Sequence, residues 1–309
     1  MKKLLVSTLT NSGLFLISVA IRLSGDGKLL ARILQKVLVT TSKVKFRLGS
    51  AMKFTVIGAD DGSRGIQVSD GNIVLLAAGT RRYFSGGNYR FQGEELEDRL
   101  RRLGRTRIDT FLDIGANCGE LAIWFAQPRF HCRVAAVEPV RETLELLRAN
   151  IALQSFPTDN ITVFACAVTG TNGSIRITSG HGSQNSVVAR KWRSSTETVE
   201  SVSLATLLER CRFDAVSFLK IDIEGAEPML ADDLAKALPA LDVAMIEFSD
   251  KNAISEYLKI VDAFTTPSGE WRVRTNSNFD VELDIPAFRS LYAQGRIPAD
   301  DVWFYRNAA

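Results

Sequence analysis

Residues 111–119 read Phe-Leu-Asp-Ile-Gly-Ala-Asn-Cys-Gly, and this stretch decides the fold. A short apolar strand runs into Asp113, and Gly115 and Gly119 open the helix that follows. A strand, a glycine turn and a helix amino end form a nucleotide-binding corner, because free N–H groups face a ligand there and glycine lets it approach the backbone.

The spacing selects among nucleotides. A dinucleotide site reads G-x-G-x-x-G and rests a pyrophosphate on the helix, whereas here the pattern is G-x-x-x-G with Asp113 two residues ahead, where its carboxylate repels phosphate. That disfavours an NAD(P) oxidoreductase. A ligand with a cationic end and a free ribose, of the S-adenosylmethionine type, fits the acid. Its ribose needs an acceptor, and the next apolar run, Val134 to Val137, ends in Glu138 and Pro139, about 20 residues on, where a second strand presents an acid to ribose.

From residue 108 onward, apolar strands and helical patterns alternate, which predicts a doubly wound, mostly parallel α/β sheet covered on both faces. The expected order is strand 110–115, helix 119–127, strand 134–138, helix 141–153 and strand 161–168. A Gly/Ser/Asn-rich interruption follows over 173–204. Alternation resumes with helix 204–211, strand 216–223, helix 226–237, strand 242–249 and helix 253–264. Two last strands, near Trp271–Thr275 and Val302–Tyr305, are expected to pair antiparallel at the sheet edge. Strands at Lys53–Gly58, Gly65–Val68 and Asn72–Ala77 and a charged helix at Glu94–Leu103 precede this unit. The reading divides the chain into an N-terminal helical and β-rich extension, 1–100, and a Rossmann-like domain, 101–309.

Strand 216–223 is apolar at Val216, Phe218 and Leu219, yet places Lys220, Asp222 and Glu224 in alternation at its carboxyl end. Buried unpaired ions cost several kcal/mol each, roughly, so these groups must pair, meet ligand or emerge into a crevice. The crevice outside the strand carboxyl ends is where open α/β sheets bind ligands, and Glu247 ends the next strand. A purely structural ion-pair network is the plainer explanation of the same residues.

Asp-Ile-Gly-Ala-Asn-Cys-Gly (113–119), Val-Glu-Pro (137–139), Leu-Lys-Ile-Asp-Ile-Glu-Gly-Ala-Glu (219–227) and Ile-Glu (246–247) resemble the FkbM-type family of class I S-adenosylmethionine-dependent methyltransferases, over roughly residues 105–265. The resemblance implies a seven-stranded sheet with its last strand antiparallel, S-adenosyl-L-methionine as cofactor, and O-methylation of a sugar, glycan or secondary-metabolite hydroxyl. By position it implies that Asp113, Gly115, Asn117 and Gly119 line the methionine end and that Glu138 binds ribose. Where many relatives place an acid near adenine, this chain reads Ala165-Cys166-Ala167-Val168, so backbone and apolar contact at Ala167 would hold the base. Asp222 is expected to position the acceptor or remove its proton and Lys220 to orient it, with Glu224 and Glu247 behind them. His181, in the loop Ser179–Ser186, is a further candidate base because histidine titrates near working pH; His131 reads as a surface or cap residue. No metal is required in principle, although Asp222, Glu224 and Glu247 offer the hard oxygen ligands magnesium takes.

Composition narrows the rest. The 309 residues, 46% hydrophobic and 24% charged, can bury a full core. Cys118, Cys132, Cys166 and Cys211 lack metal-ligand spacing and read as reduced thiols of a cytoplasmic protein. Residues 1–53 hold ten Lys/Arg against the single acid Asp26, and Leu29–Val39 has helical spacing with a basic side. The amino-terminal run superficially resembles a signal peptide, but Asn11, Ser12 and Gly13 interrupt it. The basic start suggests peripheral membrane contact, and the expected partner is a small-molecule or glycan acceptor, not nucleic acid. The contrasting reading is a basic module that docks on anionic lipid or nucleic acid and carries an inactive fold.

Overall fold

The computed structural model describes residues 53–58, 64–69, 74–77, 89–179, 195–249, 252–266 and 269–306. The basic helix expected at Leu29–Val39 and the candidate His181 lie outside them.

In chain order the elements are β1 (Lys53–Gly58), β2 (Arg64–Ser69), β3 (Val74–Ala77), α1 (Tyr89–Arg102), β4 (Thr110–Ile114), α2 (Glu120–Ala126), β5 (Arg133–Val137), α3 (Arg141–Ala152), β6 (Ile161–Phe164), β7 (Ala167–Val168), β8 (Gly173–Ser179) and β9 (Ser195–Val202). They continue with α4 (Leu204–Cys211), β10 (Phe218–Ile221), α5 (Ala231–Ala237), β11 (Val243–Phe248), α6 (Ile254–Ala263), β12 (Trp271–Thr275), β13 (Asn278–Asp284), α7 (Ile285–Ala293) and β14 (Asp300–Arg306). Strands β1, β2 and β3 form an antiparallel sheet, and β7, β9 and β8 form a mixed one in which β9 is parallel to β7 and antiparallel to β8.

The main sheet runs β13-β12-β14-β11-β10-β4-β5-β6. From β11 to β6 every neighbour is parallel, while β14 is antiparallel to both β11 and β12. The chain starts in the middle at β4, winds out through β5 and β6, then returns to β10 on the other side. That reversal opens a crevice between β4 and β10 at their carboxyl ends.

Both sheet faces are apolar because successive strand residues point to opposite sides. Leu112, Leu219, Ile246 and Phe304 meet Leu207, Leu234, Ile260 and Phe288 on one face. On the other, Phe111, Val134, Phe218 and Trp303 meet Leu96, Leu100, Phe125 and Leu147. Phe218 stacks on Phe111 at 5.0 Å and on Trp303 at 5.6 Å between centroids.

Four expectations are corrected. The sheet has eight strands, not seven, because β13 adds an antiparallel edge beyond β12; β12 and β14 pair antiparallel as expected, one strand in from that edge. The single strand expected at 161–168 is two, and β7 leaves the main sheet to pair with β9. The helix expected from 226 begins with a separate 3-10 turn, Glu227–Leu230. Glu224 does not continue the alternation of β10, since that strand ends at Ile221 and Glu224 turns into the left-handed region at φ +58°. Among the described residues, no helix is long and apolar enough to cross a membrane.

Candidate active site

The glycine corner after β4 is built from left-handed residues: Gly115 at φ +82°, Asn117 at φ +51° and Gly119 at φ +89°. Such angles suit glycine and, among other residues, asparagine. The glycines also admit neighbours. A Cβ on Gly115 would stand 1.8 Å from the Asp222 carbonyl oxygen, and one on Gly119 would stand 2.4 Å from Leu147 Cδ1. Gly115 therefore locks the β4 turn against the β10 turn, a packing reason that adds to the expected ligand approach.

The crevice is lined on one side by Gly115, Asn117, Glu138 and Val140, on another by Cys166, Ala167, Val168 and Ile177, and on a third by Asp222, Ile223 and Glu224. Thr143 lines it as well. None of the described lining residues is Lys or Arg.

Glu138 is 7% exposed. One carboxylate oxygen accepts the Asn117 N–H at 3.1 Å and the other accepts the Val140 N–H at 2.9 Å. Burial pushes the group up to about 7, against the pull of those two hydrogen bonds. An ionised carboxylate has about four lone-pair sites, so acceptor capacity remains for two further donors.

Asp113 lies beneath the crevice, 1% exposed, and is the register partner of Lys220 on the adjacent strand. The Lys220 ammonium stands 3.6 Å from Asp113 Oδ1 and 3.2 Å from Asp222 Oδ2. Burial pushes Asp113 up to about 6, opposed by Lys220. Burial alone would lower Lys220, but Asp222 and Asp113 outweigh it and raise its pKa. Lys220 is thus a charged tie between a buried acid and one in the crevice wall.

Asp222, Glu227 and Glu247 each bring a carboxylate oxygen within 4.8 Å of the others. Glu227, fully buried, accepts the Ile223 N–H at 2.8 Å and the Gly225 N–H at 3.3 Å on one oxygen, and the Tyr257 hydroxyl at 3.0 Å on the other. It braces the loop that carries Asp222 and Glu224. Burial, then repulsion from Asp222 and Glu227, pushes Glu247 up to about 9.

Of the sequence-derived residues, Gly115, Asn117, Glu138, Ala167, Asp222 and Glu224 line the crevice, while Asp113, Gly119, Lys220 and Glu247 are not part of its lining. Reading by pattern missed Asp301 and Glu227. Asp301 opens β14, whose reversed direction brings its amino end to the same rim; burial pushes it up to about 6. An acid five residues after Asp222 was the available signal for Glu227. His131 caps the 3-10 turn Pro128–Phe130 through its backbone N–H to the Pro128 carbonyl oxygen. All four cysteines are free and buried.

A central β4 flanked by β5 and β6 on one side and by β10 and β11 on the other, with β14 reversed between β11 and β12, is the sheet of a Rossmann-like class I methyltransferase fold. Residues 113–258 match the family model for the methyltransferase FkbM domain. No curated protein matches the chain in sequence. Solved structures of similar outline include an S-adenosylmethionine-dependent methyltransferase from Agrobacterium tumefaciens, 10% identical over 83% of this chain and 77% of that one, with a TM-score of 0.45. Others are a putative O-methyltransferase from Klebsiella pneumoniae (13% identical, 71% and 80% covered, TM-score 0.41) and a Bacillus cereus O-methyltransferase in complex with S-adenosylhomocysteine (12% identical, 71% and 81% covered, TM-score 0.41). At these scores the likeness is one of outline, and the fold assignment rests on strand order.

Proposed function

We propose that the chain is an S-adenosylmethionine-dependent methyltransferase that methylates a hydroxyl of a sugar, glycan or secondary metabolite. The observation that carries the reading is Glu138, a buried carboxylate fixed by two backbone N–H groups at the end of β5 and turned to the crevice. Its spare lone pairs suit a pair of ribose hydroxyls. The lining also argues against a pyrophosphate: it carries Glu138, Asp222 and Glu224 and no described cation. A nucleoside with a positive end fits that charge.

When bound, the cofactor supplies a methyl group already activated on a sulfonium. The chain's part is to align an acceptor oxygen in line and to remove its proton. Asp222, in the wall and tied to Lys220 at 3.2 Å, serves as the acceptor's positioning group and base. Lys220 fixes the carboxylate's direction. Glu247, with a carboxylate oxygen within 4.8 Å of that of Asp222, stands behind it. The Lys220 ammonium, 3.2 Å from Asp222, opposes a metal ion on that carboxylate.

Isothermal titration with S-adenosylhomocysteine tests the class of ligand; absence of binding at millimolar concentration rejects it. Incubation with methyl-labelled cofactor and a panel of sugars and cell extracts tests the acceptor, and label on nitrogen instead of oxygen rejects the O-methyl assignment. The basic segment 1–53 serves, in this reading, to hold the enzyme near a membrane-borne acceptor. Deletion of residues 1–45 then lowers co-sedimentation with anionic vesicles without changing cofactor affinity; unchanged sedimentation counts against it.

A further inference from the structure

The hydroxyl of Thr143 is a buried polar group that the proposed chemistry leaves unused. Thr143 lies in the first turn of α3, is 2% exposed, and lines the crevice with Val140, Cys166, Ala167, Val168 and Ile177. Among the described residues its Oγ1 has no hydrogen-bond partner. A threonine in a helix ordinarily returns its hydroxyl to a carbonyl three or four residues earlier, and this one does not. Burying an unpaired hydroxyl costs about 1–3 kcal/mol, so the sequence keeps at this point a group that valine would replace at equal size.

We infer that the Thr143 hydroxyl is the side-chain group that hydrogen-bonds the edge of the donor's adenine. This rests on the reading of the crevice as an S-adenosylmethionine site. Glu138 holds the Val140 N–H, so the carboxylate that would take the ribose and the first turn of α3 are fixed to each other. Beyond the carboxylate the lining turns apolar, as a flat heterocycle requires, and among the described lining residues Thr143 brings the one hydroxyl to that part of it. A hydroxyl both donates and accepts, which matches a base edge with an amino group beside a ring nitrogen. Recognition would come from the helix after β5, in place of an acid after β6, where this chain has Cys166 and Ala167.

The test is isothermal titration of S-adenosylhomocysteine into the full chain and its Thr143→Val and Thr143→Ser variants, with the melting temperature of each unliganded protein. Thr143→Val is expected to bind about five- to tenfold more weakly, the worth of one hydrogen bond, while melting at the same temperature or higher. Thr143→Ser keeps the hydroxyl and binds within about twofold of the parent. Equal affinity of Thr143→Val and the parent overturns the inference and leaves the methyltransferase reading standing. A lower melting temperature for unliganded Thr143→Val also overturns it, because the hydroxyl then serves the fold. A parent chain that does not bind overturns both.

Discussion

Glu247 on β11 is the register partner of Asp301 on β14, so two carboxylates occupy adjacent positions on one face of the sheet at the rim of the crevice. Like charges placed directly opposite each other destabilise a strand pair. The arrangement persists at neutral pH because only one of the two is ionised: Glu247, pushed up to about 9, keeps its proton while Asp301, pushed up to about 6, has released its own, burial being the first cause of both shifts.

Stability should therefore fall with rising pH through Glu247. Below its ordinary value of 4.5 the folded and unfolded chains both hold the proton, and its contribution is fully present. Between there and about 9 the unfolded chain releases the proton first, so stability is lost progressively up to that pH. Glu247→Gln removes the penalty. Urea titrations at pH 5, 7 and 9 are expected to show the variant gaining on the parent at each step, and a gain that shrinks with pH contradicts the assignment.

Removing Lys220 should cost more than removing its partner. Lys220→Met leaves Asp113 buried without a counter-charge, and breaking such a pair from one side costs about 3–5 kcal/mol. Asp113→Asn leaves Lys220 tied to Asp222 and costs less. The double variant should recover much of the loss, since the two groups act as a unit. Additive losses in denaturant titrations would show that the pair is not coupled.

Gly115→Ala tests the lock between the two turns. The new methyl would overlap the Asp222 carbonyl at 1.8 Å, and the backbone sits at φ +82°. Strain of about 1–3 kcal/mol is expected, together with displacement of the Asp222 loop and loss of S-adenosylhomocysteine binding. Full binding in this variant would mean that the loop relaxes without consequence.

The parallel core was legible because its strands are short apolar runs that end in acids. Asp113 before Gly115, and Glu138 before Pro139, mark strand ends by chemistry as well as by pattern. The run from Val216 to Glu224 misled, because period-two spacing persists into the turn where Glu224 leaves the strand. Asp301 was invisible for a topological reason: an acid at a strand's start reaches the rim only if that strand is reversed, and hydropathy carries no direction. The β13 edge reads Asn-Phe-Asp-Val-Glu-Leu-Asp, alternating but too polar to announce itself beside the core strands.

The brace behind the Asp222 loop gives the sharpest separation of fold from site. Tyr257, 1% exposed on α6, donates its hydroxyl to Glu227 and accepts the Ser249 N–H at 3.3 Å. Glu227 in turn holds Ile223 and Gly225, which flank Glu224. Tyr257→Phe keeps the ring against Phe248, 4.7 Å away between centroids, so the core packing survives. What is lost is the buried hydrogen bond to the Glu227 carboxylate, about 1–3 kcal/mol, together with the hydroxyl's contacts to Ser249, and with the first of these the fixed direction of residues 223–227. The variant is expected to stay folded with a modestly lower melting temperature, while its affinity for S-adenosylhomocysteine falls by tenfold or more, roughly the equivalent of that bond's energy. If binding is untouched while stability drops, Glu227 braces the fold alone and the loop holds its shape without it.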